Sequence, residues 1–439
     1  MNLVLSNGLV CFPWGIEPAD IGIDKGKIIQ IEAAGSLSHF EETIDCKGLH
    51  IMPGVIDSQV HFREPGLEHK EDLHTGTKSA VLGGVTSILE MPNTKPPTTS
   101  IEAMQDKVNR GVNRAYCDYG FFMGGTEEDL DWKSLESVSG CSGIKIFMGS
   151  STGNLLVSED EKIRNILKQS LRRSAIHCED EQRLIERKYI AEEGAHARYH
   201  HHWRDSQSAY LATSRLLKIA REVGARVHVL HVTTAEEMVL LAKNKDICTV
   251  EVTPQHLTFN SDAYETLTSR VQMNPPIREE HHRKALWEAI RSGVVDVIGS
   301  DHAPHLLEEK SLEYPKSPSG MPGVQTILNL MLHHYNQGML PLGQLVDLLC
   351  TSPARIYGIR NKGRIALGYD ADFSIVDLNH EWEVKDSDMA SKCGWTPYHG
   401  QIWKGKARMT IIRGQLVMCE DQVLGDPIGK VLSFEQGVM

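Results

Sequence analysis

The chain has 439 residues, with 46 Lys and Arg against 58 Asp and Glu, a formal charge of −12. That acidic balance argues against sequence-independent nucleic-acid binding, which needs a basic face to displace counterions, and no run of about 18 apolar residues offers a membrane span. At about 150 residues per domain, the length fits three domains or one large α/β barrel with an appendage.

The chain opens in β structure. Two apolar-rich runs between Ile21 and Ile31 flank a turn containing Gly26, a hairpin signal. Eight apolar strand candidates follow, at 54–58, 84–91, 116–122, 143–148, 174–178, 226–232, 248–253 and 294–299. Helical patterns lie between most of them, most clearly Ala212, Leu216, Ile219, Ala220 and Val223 on one face. Eight strands alternating with helices is the count of a (β/α)8 barrel, although a doubly wound sheet gives a similar pattern. Glu308 to Pro322, with Pro315, Pro318, Gly320 and Pro322, reads as a long functional loop after the eighth strand. The C-terminal part returns to β structure at Asp372–Asp377 and Met409–Gly414. The predicted architecture is therefore α/β: a TIM-type barrel over 53–358, with a small β-sandwich domain formed by 1–52 and 359–439.

The nine cysteines run from Cys11 to Cys419 without a C-x-x-C pair, which suits reduced thiols in a cytoplasm. The first residues, Met1 to Gly8, lack a basic segment and a long apolar stretch, so no secretory signal is expected. The unusual number is 21 histidines. Several stand where barrel enzymes place their chemistry, at the C-terminal ends of strands. His61 follows the first strand, Lys145 lies in the fourth, His177 ends the fifth, His231 the sixth and Asp301 the eighth. One strand-end histidine is ordinarily structural. Imidazole and carboxylate converging from several strands make a metal cage. Lys145, within Gly143-Ile144-Lys145-Ile146-Phe147, could simply snorkel. Beside such ligands, however, a buried neutral amine can take up carbon dioxide, and the two oxygens of the resulting carbamate can bridge two metals.

Four motifs carry a family resemblance: Gln59-Val60-His61-Phe62-Arg63-Glu64-Pro65-Gly66, Met91-Pro92-Asn93-Thr94, Asn274-Pro275-Pro276-Ile277-Arg278 and Asp301-His302-Ala303-Pro304-His305. Together they resemble dihydroorotases of the amidohydrolase superfamily, over nearly the whole chain. The resemblance implies a zinc-dependent, reversible interconversion of dihydroorotate and N-carbamoyl-aspartate in pyrimidine synthesis. It implies that His61 and Asp301 hold one metal, His177 and His231 the other, with a carbamate on Lys145 bridging them. Arg63, Asn93 and His305 would grip the substrate carboxylate, Asn274 the ring edge, and Asp301 would move the proton. A homodimer and association with aspartate transcarbamoylase are the partners that such relatives suggest. The competing readings are a cyclic amidase for another imide or ureide ring, and a catalytically silent partner subunit.

The departure is Gln59, where family members usually carry the first His of His-x-His. A carboxamide oxygen is a poorer zinc ligand than imidazole nitrogen, so the site of His61 and Asp301 is expected to bind its metal more weakly. Other features are expected to be bland. His196 and His200–His202 read as a solvated segment, and His281-His282 and His333-His334 as surface residues of helices. His302 should point away from the site, and the roles of Glu251, Gln255 and His256 stay open. Ser150–Asn154 resembles a phosphate-binding turn but lacks P-loop spacing. The segment 317–323 can offer backbone donors, and 150–158 and 308–322 are the candidate closing loops.

Overall fold

Between Val55 and Ile298, eight short strands pair in sequence order into one parallel sheet. The computed structural model describes residues 3–37, 40–151 and 155–435. The barrel strands are Val55–Val60, Val85–Glu90, Asp118–Gly124, Cys141–Phe147, Ser174–His177, Val227–Val229, Cys248–Val252 and Val297–Ile298, all at the positions expected from apolar runs. A parallel bridge from Val60 to His302 brings the eighth strand beside the first, and His61 N–H donates to the His302 carbonyl at 2.7 Å. That bridge nearly closes the barrel and places the residues after both strands at one mouth.

The crossover helices form for local reasons that the sequence shows. Ser206–Val223 starts at Asp205, whose carboxylate accepts from Ser208 N–H, and stops at Gly224 with φ of 69°. It buries Ala212, Leu216, Ile219 and Ala220 against the barrel, as their spacing requires. Among the described residues, no helix is long and apolar enough to cross a membrane.

Both chain ends meet in a separate nine-stranded, mostly antiparallel sheet. His50–Pro53 lies at its centre, parallel to Leu3–Phe12 on one side and antiparallel to Phe373–Glu383 on the other. The hairpin of Gly15–Asp24 and Lys27–Ala33 extends one flank, and Ile402–Ile412 with Gln415–Cys419 the other. The sheet has its own apolar cluster, including Leu5, Ile21, Ile51, Phe373, Ile375 and Ile411.

A buried charge network joins the sheet to the barrel. Lys362 Nζ contacts Asp118 at 2.8 Å, at the start of the third barrel strand, as well as Asp370 at 3.1 Å and Asp372. Arg413 pairs with the same Asp118. Burial alone would lower the Lys362 pKa, but the three carboxylates hold it well above the ordinary lysine range.

Candidate active site at the barrel mouth

Strand ends deliver the side chains. His61, Lys145, His177, His231 and Asp301 line one cavity together with Gln59, Phe147, Ser151, Asn274, Ala303, Ser319 and Gly320. All five predicted metal ligands are therefore brought together. His231 and Asp301 adopt left-handed backbone, with φ of 35° and 46°, as does Arg63 at 65°. Strain of this kind persists where surrounding structure holds a side chain in a working position.

The histidine geometry fits a cation. His177 Nδ1 and His231 Nε2 face each other at 3.1 Å. Two nitrogens bound about 2.0–2.1 Å from one tetrahedral ion stand about 3.3 Å apart. The outer nitrogen of His177, Nε2, meets Glu179 at 2.8 Å, which fixes the proton there and leaves Nδ1 with its lone pair facing the cavity. Glu179 is in turn gripped by Arg204, with Nη2 at 2.5 Å. Burial would raise the Glu179 pKa, but Arg204 and His177 hold it well below the carboxylate range.

Likewise His61 Nε2 lies 3.2 Å from Asp301 Oδ1, while its Nδ1 meets Asn93 Oδ1 at 2.8 Å. Asn93 thus orients His61 through its carbonyl. Lys145 Nζ is buried, has no hydrogen-bond partner among the described residues, and lies 4.5 Å from the centre of the Phe147 ring. Burial lowers its pKa to about 7, so a neutral amine is accessible at physiological pH. An orphaned buried amine between two imidazole pairs fits a cation site. Gln59 fits less well: its Nε2 donates to Asp301 Oδ1 at 3.0 Å, and its buried Oε1 has no partner.

The predicted substrate residues fall into two groups. Asn274 lines the cavity itself. Arg63 and His305 stand behind Ser319, whose carbonyl lies 3.1 Å from His305 Nε2. Burial lowers the Arg63 pKa only to about 10, so its guanidinium stays charged. Gly320 must be glycine here, because at its φ of 132° a Cβ would sit 2.4 Å from the Ala303 carbonyl.

Several expectations are corrected. His200 and His201 are buried, not solvated, and only His202 is exposed. His200 donates from Nε2 to Asn274 Oδ1 at 2.9 Å and lies 3.2 Å from the Tyr314 hydroxyl through Nδ1. It therefore sets the Asn274 amide. His282 and His334 are also buried, accepting from Ala235 N–H and meeting Thr258 Oγ1, respectively. His201 and His202 approach Glu279, but this group lies apart from the barrel-mouth set. His302 is structural as expected: its Nδ1 accepts from Gly323 and Val324 N–H. Of the three seventh-strand residues left open, Glu251 accepts from the Ser58 hydroxyl and Gln255 donates to the Ser300 carbonyl, while His256 donates to the Pro275 carbonyl. In the supposed phosphate turn, Ser150 spends its N–H and hydroxyl on Glu181, and 152–154 lie outside the described residues.

Glu179, Arg204 and His200 were not singled out from sequence. Only Glu179 left a signal, because residues two apart on a strand end share a face with His177. His200 and Arg204 come from a polar stretch with no apolar period to orient it.

A parallel barrel gathering His, Lys and Asp from separate strand ends into one buried cavity is the architecture of a metal-dependent hydrolase. The chain belongs to the amidohydrolase family, whose family profile matches residues 50–417. A dihydroorotase of Methanosarcina mazei is 33% identical, over 97% of this chain and 96% of that protein. A dihydroorotase of Pyrococcus abyssi is 36% identical over 98% of each. Among solved structures, the L-hydantoinase (dihydropyrimidinase) of Arthrobacter aurescens superposes with a TM-score of 0.94 at 28% identity, covering 98% of this chain and 99% of that one.

Proposed function

We propose that the chain is a dihydroorotase, opening the cyclic amide of dihydroorotate to N-carbamoyl-L-aspartate and closing it again, in cytoplasmic pyrimidine synthesis. The observation that carries this reading is the charged Arg63 with His305 beside the cage. A guanidinium fork suits a carboxylate, and a ring without one has no use for it. The full-length likeness to dihydroorotases supports the same substrate.

In this reading His177, His231 and a carbamate on Lys145 hold one zinc ion, and His61 and Asp301 hold a second, weaker one. The carbamate forms when neutral Lys145 Nζ adds to carbon dioxide and loses one proton. The cation supplies Lewis acidity, lowering the pKa of a water and polarising a carbonyl. Asp301 takes a proton from the attacking water and passes it to the ring nitrogen as the C–N bond breaks. Arg63 and His305 hold the carboxylate and Asn274 orients the ring edge, so that the ring carbonyl faces the attacking water. The division into 1–52, 53–358 and 359–439 belongs to this reading, as does a homodimer or docking to aspartate transcarbamoylase.

The hydantoinase likeness supports a second reading, a cyclic amidase for uncharged rings. Arg63→Met separates the two. We expect kcat/KM for dihydroorotate to fall about 10- to 100-fold, the worth of a charged hydrogen bond, with hydantoin turnover little changed. Equal losses on both rings, or hydantoin preferred by the unmutated protein, would favour the second reading.

A further inference from the structure

His305 is held between two cations. Lys70 Nζ lies 3.1 Å from its Nδ1, while its Nε2 lies 3.1 Å from the Ser319 carbonyl and 3.2 Å from Arg63 Nη2. An ammonium has donors only, so His305 Nδ1 must accept. The ring proton of the neutral imidazole then sits on Nε2 and points at the Ser319 carbonyl. The other tautomer opposes donor to donor at Lys70 and lone pair to lone pair at Ser319. Glu309 cannot rescue it, being 3.7 Å from Nδ1. Arg63 Nη2 is likewise a donor, so it meets Nε2–H without bonding, and that nitrogen is not spent on His305. Its neighbour Nε is spent on the Pro304 carbonyl at 3.2 Å.

Lys70 is itself anchored by Glu309 Oε1 at 2.7 Å, and the other carboxylate oxygen accepts from Leu306 N–H at 3.0 Å. We infer that Lys70, set by Glu309, is a positioning residue that fixes His305 as an Nε2–H donor and so leaves two adjacent donors, from His305 and Arg63, for the anionic group of the substrate. This rests on the proposed carboxylate-bearing substrate. Burial, with Arg63 and Lys70 nearby, lowers the His305 pKa to about 3, which keeps the ring neutral as the tautomer argument requires.

The test uses the metal-loaded full chain with nitrogen-15-labelled histidine, the His305 signals being assigned by their loss in His305→Gln. The unmutated protein should show the Nε2–H tautomer. In Lys70→Met the signal should move toward the other tautomer or a mixture, and the KM for dihydroorotate should rise about tenfold, with a smaller change in kcat. Lys70→Arg, which keeps a donor-only cation, should restore both. An unchanged tautomer in Lys70→Met, or an unchanged KM, overturns the inference. If the unmutated protein does not turn over dihydroorotate, the proposed function fails while the tautomer comparison still decides the role of Lys70.

Discussion

Gln59 and His61 leave the first barrel strand two residues apart, on the same face, and both meet Asp301 Oδ1, at 3.0 and 3.2 Å. They present opposite chemistry to it. His61 offers a ring nitrogen that Asn93 leaves free to ligate, whereas Gln59 offers an N–H donor that engages the carboxylate oxygen. One ligand is missing and one acceptor is partly occupied. Titrating zinc into the metal-stripped protein should therefore give a tight and a weak site, and Gln59→His should tighten the weak one. Two equally tight sites in the unmutated protein would contradict this. The substitution was legible in sequence because the spacing of the motif fixes which face Gln59 takes. The direction of its amide was not, since that depends on Asp301, 242 positions away.

At the scale of elements, a strand end is a short extended run in which alternate residues share a face. The fifth strand and the residues after it show the consequence: His177 faces His231, and Glu179 reaches back to its outer nitrogen. Glu179→Gln should weaken metal binding about 10- to 100-fold, the usual cost of losing a carboxylate behind a ligating histidine. Competition with a chelator measures it, and unchanged affinity would show that Glu179 serves Arg204 alone. Period-two alternation made His61, His177, His231 and Asp301 visible. The short helix His200–Trp203 obeys no such rule, because neighbours on a helix diverge by about 100° and burial depends on what packs around them. That is why His200 turns into the site while His202, two residues on, stays in solvent.

For the molecule as a whole, the alternation of strands and helices specified the barrel, and β-rich ends specified a sheet built from both. The hinge between them was not legible. Asp118, Lys362, Asp370, Asp372 and Arg413 are unremarkable charges until the fold buries them together. Lys362→Met would leave buried carboxylates without their shared cation and should destabilise the protein by about 3–5 kcal/mol. Lys362 has its pKa raised above the ordinary 10.5, so it is protonated in the folded and unfolded chain alike at neutral pH. Its contribution is present below 10.5 and lost only as pH rises past the folded value. The difference in denaturant midpoint between the two proteins should thus stay constant from about pH 6 to 9; a difference that shrinks across that window would contradict the assigned charge state.

The most direct test of the central claim is turnover of dihydroorotate by the purified, zinc-loaded chain, followed by loss of substrate absorbance, with a metal-stripped sample alongside. The account predicts turnover that disappears on stripping and returns when zinc is restored. Absence of turnover from a folded, metal-loaded sample, with no recovery in Gln59→His, would contradict it.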